Sequence, residues 1–168
     1  MERLGLGLRR AGAYGVDCAV IMLYAAVLLV ITLLAAPDAE LSRLQGYGLA
    51  LATLTGPVVI GFSALEARYG ATVGKLLFGL QVRRGGMQPG FGRALVRNVG
   101  KFLPWEIAHI GIWTISGQPF IDPPGDLNLA LWAVSYSLLA LQIVLVLLFK
   151  AGLHDWAAGL RVQLREPS

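Results

Sequence analysis

An aspartate inside the first apolar run is the residue whose type and position point most directly to chemistry. Asp17 lies where a charge is unfavourable, since a carboxylate at the centre of a bilayer costs about 2.5–3.5 kcal/mol. Arg10 precedes it by seven residues, so the two side chains lie on nearly the same face of a helix. The pattern predicts either an ion or proton site at Asp17 or a structural polar clamp between helices.

Glu106 and His109 form a second polar pair, three residues apart and therefore on one helix face. Histidine titrates near neutral pH, so the pair can relay a proton, but it can also form half of a metal site or a simple packing contact. No second Glu-x-x-His motif follows, and we predict no metal, no cofactor, no catalytic residue and no enzymatic activity. We predict Asp17, Glu106 and His109 as the ion or proton pathway.

His154 and Asp155 follow the last apolar run, next to Trp156. They can act as a gate on the cytoplasmic side or form a salt bridge with a basic loop residue. We favour the structural salt bridge, with the tryptophan at the membrane interface.

The stretch from Gly70 to Lys75 has two glycines at small-xxx-small spacing, which permits close helix packing. It differs from a phosphate-binding loop, because the glycine spacing is one residue short and Leu76 replaces the required Ser or Thr. Nucleotide binding is therefore not predicted.

The composition places these residues in a membrane protein. Of 168 residues, 56% are hydrophobic and only 14% are charged, whereas soluble domains carry about 25% charged residues. We predict one domain over residues 1–168, an all-α membrane protein built as a four-helix transmembrane bundle. The predicted spans cover residues 13–36, 47–65, 102–121 and 127–149.

The distribution of basic residues predicts the topology. With four spans, thirteen of the 14 bases fall on one side, in the N-terminal segment, the loop 66–101 and the tail 150–168. Positive charge favours the cytoplasm, so we predict a multi-pass protein of the bacterial inner membrane with both termini cytoplasmic. The basic excess is thus a topology signal, and nucleic-acid binding is not expected.

The cytoplasmic loop contains a short hairpin signal. Residues 81–84 read as a strand, and Gly85-Gly86 is a typical two-residue turn. Residues 79–82 also resemble residues 159–162, which indicates either two strands that pair or a chance similarity.

The end of the same loop predicts an amphipathic surface helix over residues 91–102. Arg93, Arg97 and Lys101 recur every four residues and form a basic stripe opposite an apolar one. We predict that this stripe lies in the head-group plane and contacts anionic lipids.

Three ordered segments resemble the RDD family of small bacterial membrane proteins, which is named for one arginine and two aspartates. The first runs from Arg9 to Asp17, the second from Gly70 to Val82, and the third from His154 to Val162. The resemblance covers residues 9–164, and the stretch 104–109 is similar to one in a branch of the family. The motif residues it implies are Arg9, Arg10, Asp17, Gly74, Lys75, Gly79, His154 and Asp155.

The resemblance implies a membrane location and, as the usual suggestion for the family, transport, with sodium/proton exchange proposed for some members. The family is often described with three spans, whereas the charge distribution here requires four. We therefore carry two hypotheses: a cation or proton-coupled transporter or exchanger, and a non-transporting accessory or lipid-interacting protein with a structural polar core. The expected partners are the lipid bilayer with its anionic lipids, a monovalent cation or proton, and further copies of the chain, because four helices make a thin bundle.

Overall fold

The computed structural model describes residues 2–35, 41–117 and 121–165. Seven α-helices, one π-helix and two short strands make up these residues. In chain order they are α1 (Glu2–Ala35), α2 (Arg43–Ala50), the π-helix (Leu51–Thr55), α3 (Gly56–Tyr69), α4 (Val73–Leu77), β1 (Leu80–Arg83), α5 (Phe91–Trp113), α6 (Asp126–Phe149), α7 (Leu153–Ala158) and β2 (Arg161–Leu164).

Three helical segments of the described residues are long and apolar enough to cross a membrane: Gly5–Ala35, Arg43–Tyr69 and Asp126–Phe149. They contain the predicted first, second and last spans, although Ala36, the predicted end of the first, lies outside the described residues. Only 6% of the most apolar stretch of the first segment is buried, as expected for a helix that faces lipid. The chain is therefore an all-α membrane protein.

The predicted third span differs most from the structure. Residues 91–102, predicted as a separate surface helix, form the first half of α5, which continues without a break to Trp113. Residues 118–120 of the predicted span 102–121 lie outside the described residues. Because α5 carries several charged side chains, it is not among the helical segments that are apolar enough to cross a membrane.

The second span contains a π-helix directly before Gly56 and Pro57. The N–H of Gly56 donates to the carbonyl of Leu51, five residues earlier. Proline has no N–H and clashes with the preceding turn of an α-helix, so a wider turn here accommodates it. The second span thus contains a π-turn that ends at Thr55.

Helices α5 and α6 are joined by side-chain hydrogen bonds to backbone carbonyls. Pro104 leaves the carbonyl of Gly100 without its helical donor, and Gln142 Nε2 donates to that carbonyl at 3.2 Å. Ser135 Oγ donates to the carbonyl of Pro104 at 2.6 Å. Two further bonds of this kind run from Trp132 to Ala108 and from Asn128 to Gly111. Such bonds hold helices together where lipid supplies no hydrophobic drive.

The strands β1 and β2 pair antiparallel, with Val82 opposite Val162. The two similar tetrapeptides, 79–82 and 159–162, thus overlap the paired strands only in part and lie opposite each other only at this pair of valines. Their inward side chains form a small apolar core with Ala13 of α1 and Ala158 of α7. This core fixes the C-terminal segment against the start of α1.

Candidate functional site

Asp17 anchors the short helix α4 to α1. Its Oδ1 accepts a hydrogen bond from the N–H of Gly74 at 2.9 Å, and its Oδ2 accepts one from the hydroxyl of Thr72 at 2.7 Å. The residue is 2% exposed, so these bonds replace water. A Cβ at position 74 would collide with the carbonyl oxygen of Ala13 and lie 2.8 Å from Asp17 Oδ1. Gly74 is therefore required, because α4 approaches α1 too closely at this position for any larger residue.

Glu66, in the last turn of α3, is the second carboxylate of the site. It accepts from Lys75 Nζ at 3.0 Å and from Arg97 Nη1 at 2.6 Å. Asn98 Nδ2 donates to its other oxygen at 3.1 Å. Burial lowers the pKa of Lys75, although Glu66 acts to raise it. A fully buried carboxylate thus has two cationic partners and one amide donor.

Asp155 is the third carboxylate and links the C-terminal segment to the rest. Its Oδ1 accepts from Arg97 Nε at 2.7 Å, and its Oδ2 lies 3.1 Å from Arg10 Nη2. It also accepts from the N–H of Gly152 at the start of α7. Burial acts to raise the pKa of Asp155, but Arg97, His154 and Arg10 outweigh burial and hold it well below its usual range. The predicted salt bridge of Asp155 with a basic loop residue is that with Arg97.

Together these side chains form a chain of ion pairs that we call the ion cluster. Its members are Arg10, Asp17, Glu66, Lys75, Arg97, Lys101 and Asp155. Arg10 pairs with Asp155, and not with Asp17 as its helical phase indicated. The bases nearest Asp17 are Lys75, with Nζ 3.9 Å from Oδ2, and Lys101, with Nζ 4.0 Å away.

The family model of the RDD family matches residues 5–159. The chain belongs to the RDD family. No curated protein and no solved structure matches it. In this RDD protein one arginine and two aspartates, at positions 10, 17 and 155, meet in the ion cluster although 145 residues separate the first from the last.

The remaining motif residues of the RDD protein lie around the cluster. Arg9 points away from it and donates to the carbonyl of Phe78 at 3.3 Å, so Arg10 is the arginine of the cluster. Gly79 has a φ of 63°, a left-handed conformation that glycine adopts without strain, at the turn into β1. Burial lowers the pKa of His154 to about 4, more than the neighbouring Asp155 raises it, so the ring is neutral at neutral pH.

The basic stripe of α5, predicted to face lipid head groups, points partly into the protein. Arg97 is 2% exposed, because its guanidinium lies between Glu66 and Asp155. The Lys101 ammonium lies near Asp17, and Arg93 donates to the carbonyl of Ala158. The stripe thus supplies two of the four cations of the ion cluster, Arg97 and Lys101.

Glu106 and His109 lie apart from the ion cluster, farther along α5. The Glu106 carboxylate accepts from the hydroxyls of Tyr47 and Thr55, each at 2.8 Å, and lies 3.8 Å from His109 Nδ1. Both side chains are 17% exposed. The hydroxyl donors come from α2 and the π-helix, so the widened turn positions Thr55 for this contact.

Two cavities adjoin these groups. One, of about 420 Å³, is bordered by α1, α5 and α6 and exposes several members of the ion cluster. The other, of about 370 Å³, is lined by Tyr14, Thr55, Lys101, Trp105 and other residues. Tyr14 and Lys101 line both cavities. The second cavity therefore leads from Lys101 to Thr55, whose hydroxyl donates to Glu106.

Sequence reasoning missed the roles of Glu66, Asn98, Arg97 and Lys101 in the ion cluster. One signal was available for Glu66, since it is the single acid among seven bases in residues 66–101. An isolated acid in a strongly basic loop is a candidate centre for ion pairs. No comparable signal marked Asn98.

Proposed function

We propose that this RDD-family protein is a proton-coupled transporter in which Glu106 and His109 carry the proton. The observation that supports it best is the pair of adjoining cavities, which share Tyr14 and Lys101. Thr55 lines the second cavity and donates to Glu106. Polar groups therefore border a route from the ion cluster to a carboxylate and an imidazole, two kinds of side chain that form proton relays in membrane proteins.

A proton fits this route better than a metal cation. Both oxygens of Asp17 accept hydrogen bonds, and two ammonium groups lie within 4.0 Å of it, so its surroundings repel a cation. Glu106 instead accepts from two neutral hydroxyls. In the proposed mechanism Asp17 docks α4, while Glu106 and His109 bind and release the proton.

The proposal includes four membrane crossings, with both termini in the cytoplasm of a bacterial cell. The support is the length of the contact between α5 and α6, which carries bonds from Gly100 to Gly111. Contact with a spanning helix over this length favours a crossing by α5 beside α6, provided that the charges of α5 are paired inside the protein. A topology reporter fused after Ser168 should then lie on the cytoplasmic side of the membrane, and one inserted near Pro124 should lie on the opposite side.

A second candidate is the non-transporting protein with a structural polar core. The observation in its favour is the pairing within the ion cluster, where each carboxylate has at least one basic neighbour within 4.0 Å. Such a cluster stabilises the fold whether or not anything crosses the membrane. The two candidates differ in whether Glu106 moves protons.

Proton movement in liposomes tests the proposal. Purified protein is reconstituted into vesicles of phosphatidylethanolamine and phosphatidylglycerol that contain a pH-sensitive dye, and a pH gradient is imposed with NaCl or KCl outside. We expect the wild type to dissipate the gradient faster than protein-free vesicles, and Glu106→Gln to lose the excess rate, because glutamine can still accept one of the two hydroxyl bonds but cannot ionise.

Asp126→Asn is the matched control, since Asp126 is an exposed carboxylate at the start of α6. It should leave the rate of proton movement unchanged. If wild type and Glu106→Gln move protons equally, proton coupling through Glu106 is wrong and the structural candidate is favoured.

A further inference from the structure

The cavity between α1, α5 and α6 has an unusual charge balance. Its wall contains four bases and one carboxylate, which are Arg10, Lys75, Arg97, Lys101 and Asp17. The carboxylates of Glu66 and Asp155 lie behind this wall, and even with them the bases exceed the acids by one. A buried excess charge is unfavourable, and an anion bound in the cavity would stabilise the charged form of these bases. The balance therefore favours an anion in the cavity.

Lys101 is the base that remains available to such an anion. Its ammonium makes no hydrogen bond within residues 2–35, 41–117 and 121–165, and its carboxylate neighbour, Asp17, is 4.0 Å away. The rings of Tyr14, Phe62 and Phe102 surround it at 5.1–5.4 Å. An ammonium group has three N–H donors, so Lys101 can donate to an anionic oxygen without losing an existing bond.

His154 gives independent evidence that this cavity is a ligand-binding site. It lines the same cavity and is 7% exposed, and its Nδ1 is buried with no hydrogen-bond partner among the described residues. Its Nε2 lies 3.4 Å from Asp155 Oδ1, so the ring proton belongs on Nε2 and Nδ1 is an acceptor. A buried acceptor without a donor is uncommon, and a ligand hydroxyl would satisfy it.

The remaining wall is apolar and continuous with the outer surface of α6. On α6 it includes Leu139, Ile143, Val146 and Leu147. Ile143 is 52% exposed and Leu147 68% exposed on a membrane-spanning helix, so the cavity opens sideways towards lipid tails. A free phosphate ion would make no use of this wall, whereas an acyl chain would lie along it.

We infer that this cavity binds the head group of an anionic phospholipid that bears hydroxyl groups, as in phosphatidylglycerol. The phosphate lies at Lys101 and Arg10, a head-group hydroxyl donates to His154, and the acyl chains lie along α6. A volume of about 420 Å³ is within the range of about 300–1,000 Å³ typical of ligand pockets. This site lies inside the bundle and is distinct from a head-group contact on the outer face of α5.

Native mass spectrometry of the detergent-purified protein tests the inference. The probes are phosphatidylglycerol, phosphatidylethanolamine and glycerol 3-phosphate, added separately. We expect phosphatidylglycerol to bind most tightly and glycerol 3-phosphate, which has no tails, to leave bound lipid in place. Lys101→Met should weaken phosphatidylglycerol binding about fivefold, because one base near an anionic lipid contributes about 1 kcal/mol and a tenfold change in affinity corresponds to about 1.4 kcal/mol.

Arg161→Gln is the matched control, because Arg161 is an exposed base on β2 outside the cavity. It removes the same charge and should leave the affinity unchanged. Ile143→Trp keeps every charge but fills the cavity, so it should also weaken binding, and this variant keeps the test valid if Lys101→Met fails to fold.

Three outcomes would overturn the inference. If Lys101→Met and Arg161→Gln lose the same affinity for phosphatidylglycerol, the protein has only a general attraction to negative lipids. Displacement by glycerol 3-phosphate would show a phosphate site without a lipid. A lipid-free dimer would show that a second copy covers the opening. The inference goes beyond proton transport, because lipid binding needs no flux and should persist in Glu106→Gln.

Discussion

The ion cluster and the Glu106–His109 pair both place charge inside a membrane protein, but they do so differently. In the ion cluster each carboxylate lies among bases, and Glu66, Arg97 and Asp155 are at most 2% exposed. Glu106 has neutral hydroxyl donors, and both it and His109 are 17% exposed. Removing a charge from the ion cluster would leave a buried partner unpaired. We expect the Glu106–His109 pair to tolerate the removal of the Glu106 charge better.

This difference separates a structural from an exchangeable arrangement of charge. In a buried network of opposite charges the bases stabilise the ionised carboxylates, as they do for Asp155, whose pKa lies well below its usual range. A carboxylate held by hydroxyl groups can take up a proton while the hydroxyls reorient. The comparison predicts that the first region governs stability and the second governs proton exchange.

The largest effect on the stability of the fold is expected for Arg97→Gln. Arg97 is the base shared by Glu66 and Asp155, so its loss leaves two buried carboxylates short of a partner. Removal of one member of a buried ion pair costs about 3–5 kcal/mol, and we expect a large fall in melting temperature in detergent. Arg93→Gln, one helical turn earlier and exposed, removes one hydrogen bond and should cost about 1 kcal/mol. Similar melting temperatures for the two variants would contradict a structural role for the ion cluster.

A smaller effect is expected for Gly74→Ala. The added methyl group would meet the backbone of Ala13 and the Asp17 carboxylate, so α4 must move away from α1. Overpacking of this kind costs about 1–3 kcal/mol, measurable as a lower melting temperature. The control is Gly92→Ala in α5, where no atom lies within 4 Å of the added Cβ. If both variants melt alike, the contact of α4 with α1 does not depend on the glycine.

The smallest effect on stability is expected for Glu106→Gln. The amide oxygen of glutamine accepts one of the two hydroxyl bonds, so the change should cost about 1 kcal/mol or less. Melting in detergent at neutral pH measures it beside Asp155→Asn, a comparable substitution in the ion cluster that should cost more. A loss in Glu106→Gln as large as in Asp155→Asn would remove the distinction between the two regions.

The membrane segments could be predicted from the sequence because each is a continuous apolar run. The last span was predicted over residues 127–149, and α6 runs from Asp126 to Phe149. The start of α1 was missed, since hydropathy detects the part of a helix that lies in lipid and not the part that continues beyond it. The first half of α5 was placed on a surface because a period of four residues identifies a face but not its partner.

The ion cluster could be predicted only in part, for the same physical reason. Asp17, Arg10, Lys75 and Asp155 were recognised as important, but their pairing depends on the three-dimensional arrangement. Arg10 and Asp155 are 145 residues apart, and Glu66 and Arg97 are 31 residues apart. Local spacing describes neighbours on one helix, so it placed Arg10 and Asp17 on one face and left the partner of Asp17 open.

The position of Asp155 in the chain also has a consequence for biosynthesis. The bases of the ion cluster all precede Asp155, and a chain is made from its N-terminus. While α1 to α6 are synthesised, Arg10 and Arg97 therefore lack this partner, although Glu66 is already available to Arg97. Once α7 has emerged, Asp155 pairs with both arginines, and β2 pairs with β1. A segment made late in synthesis thus joins α1, which is made first, to α5.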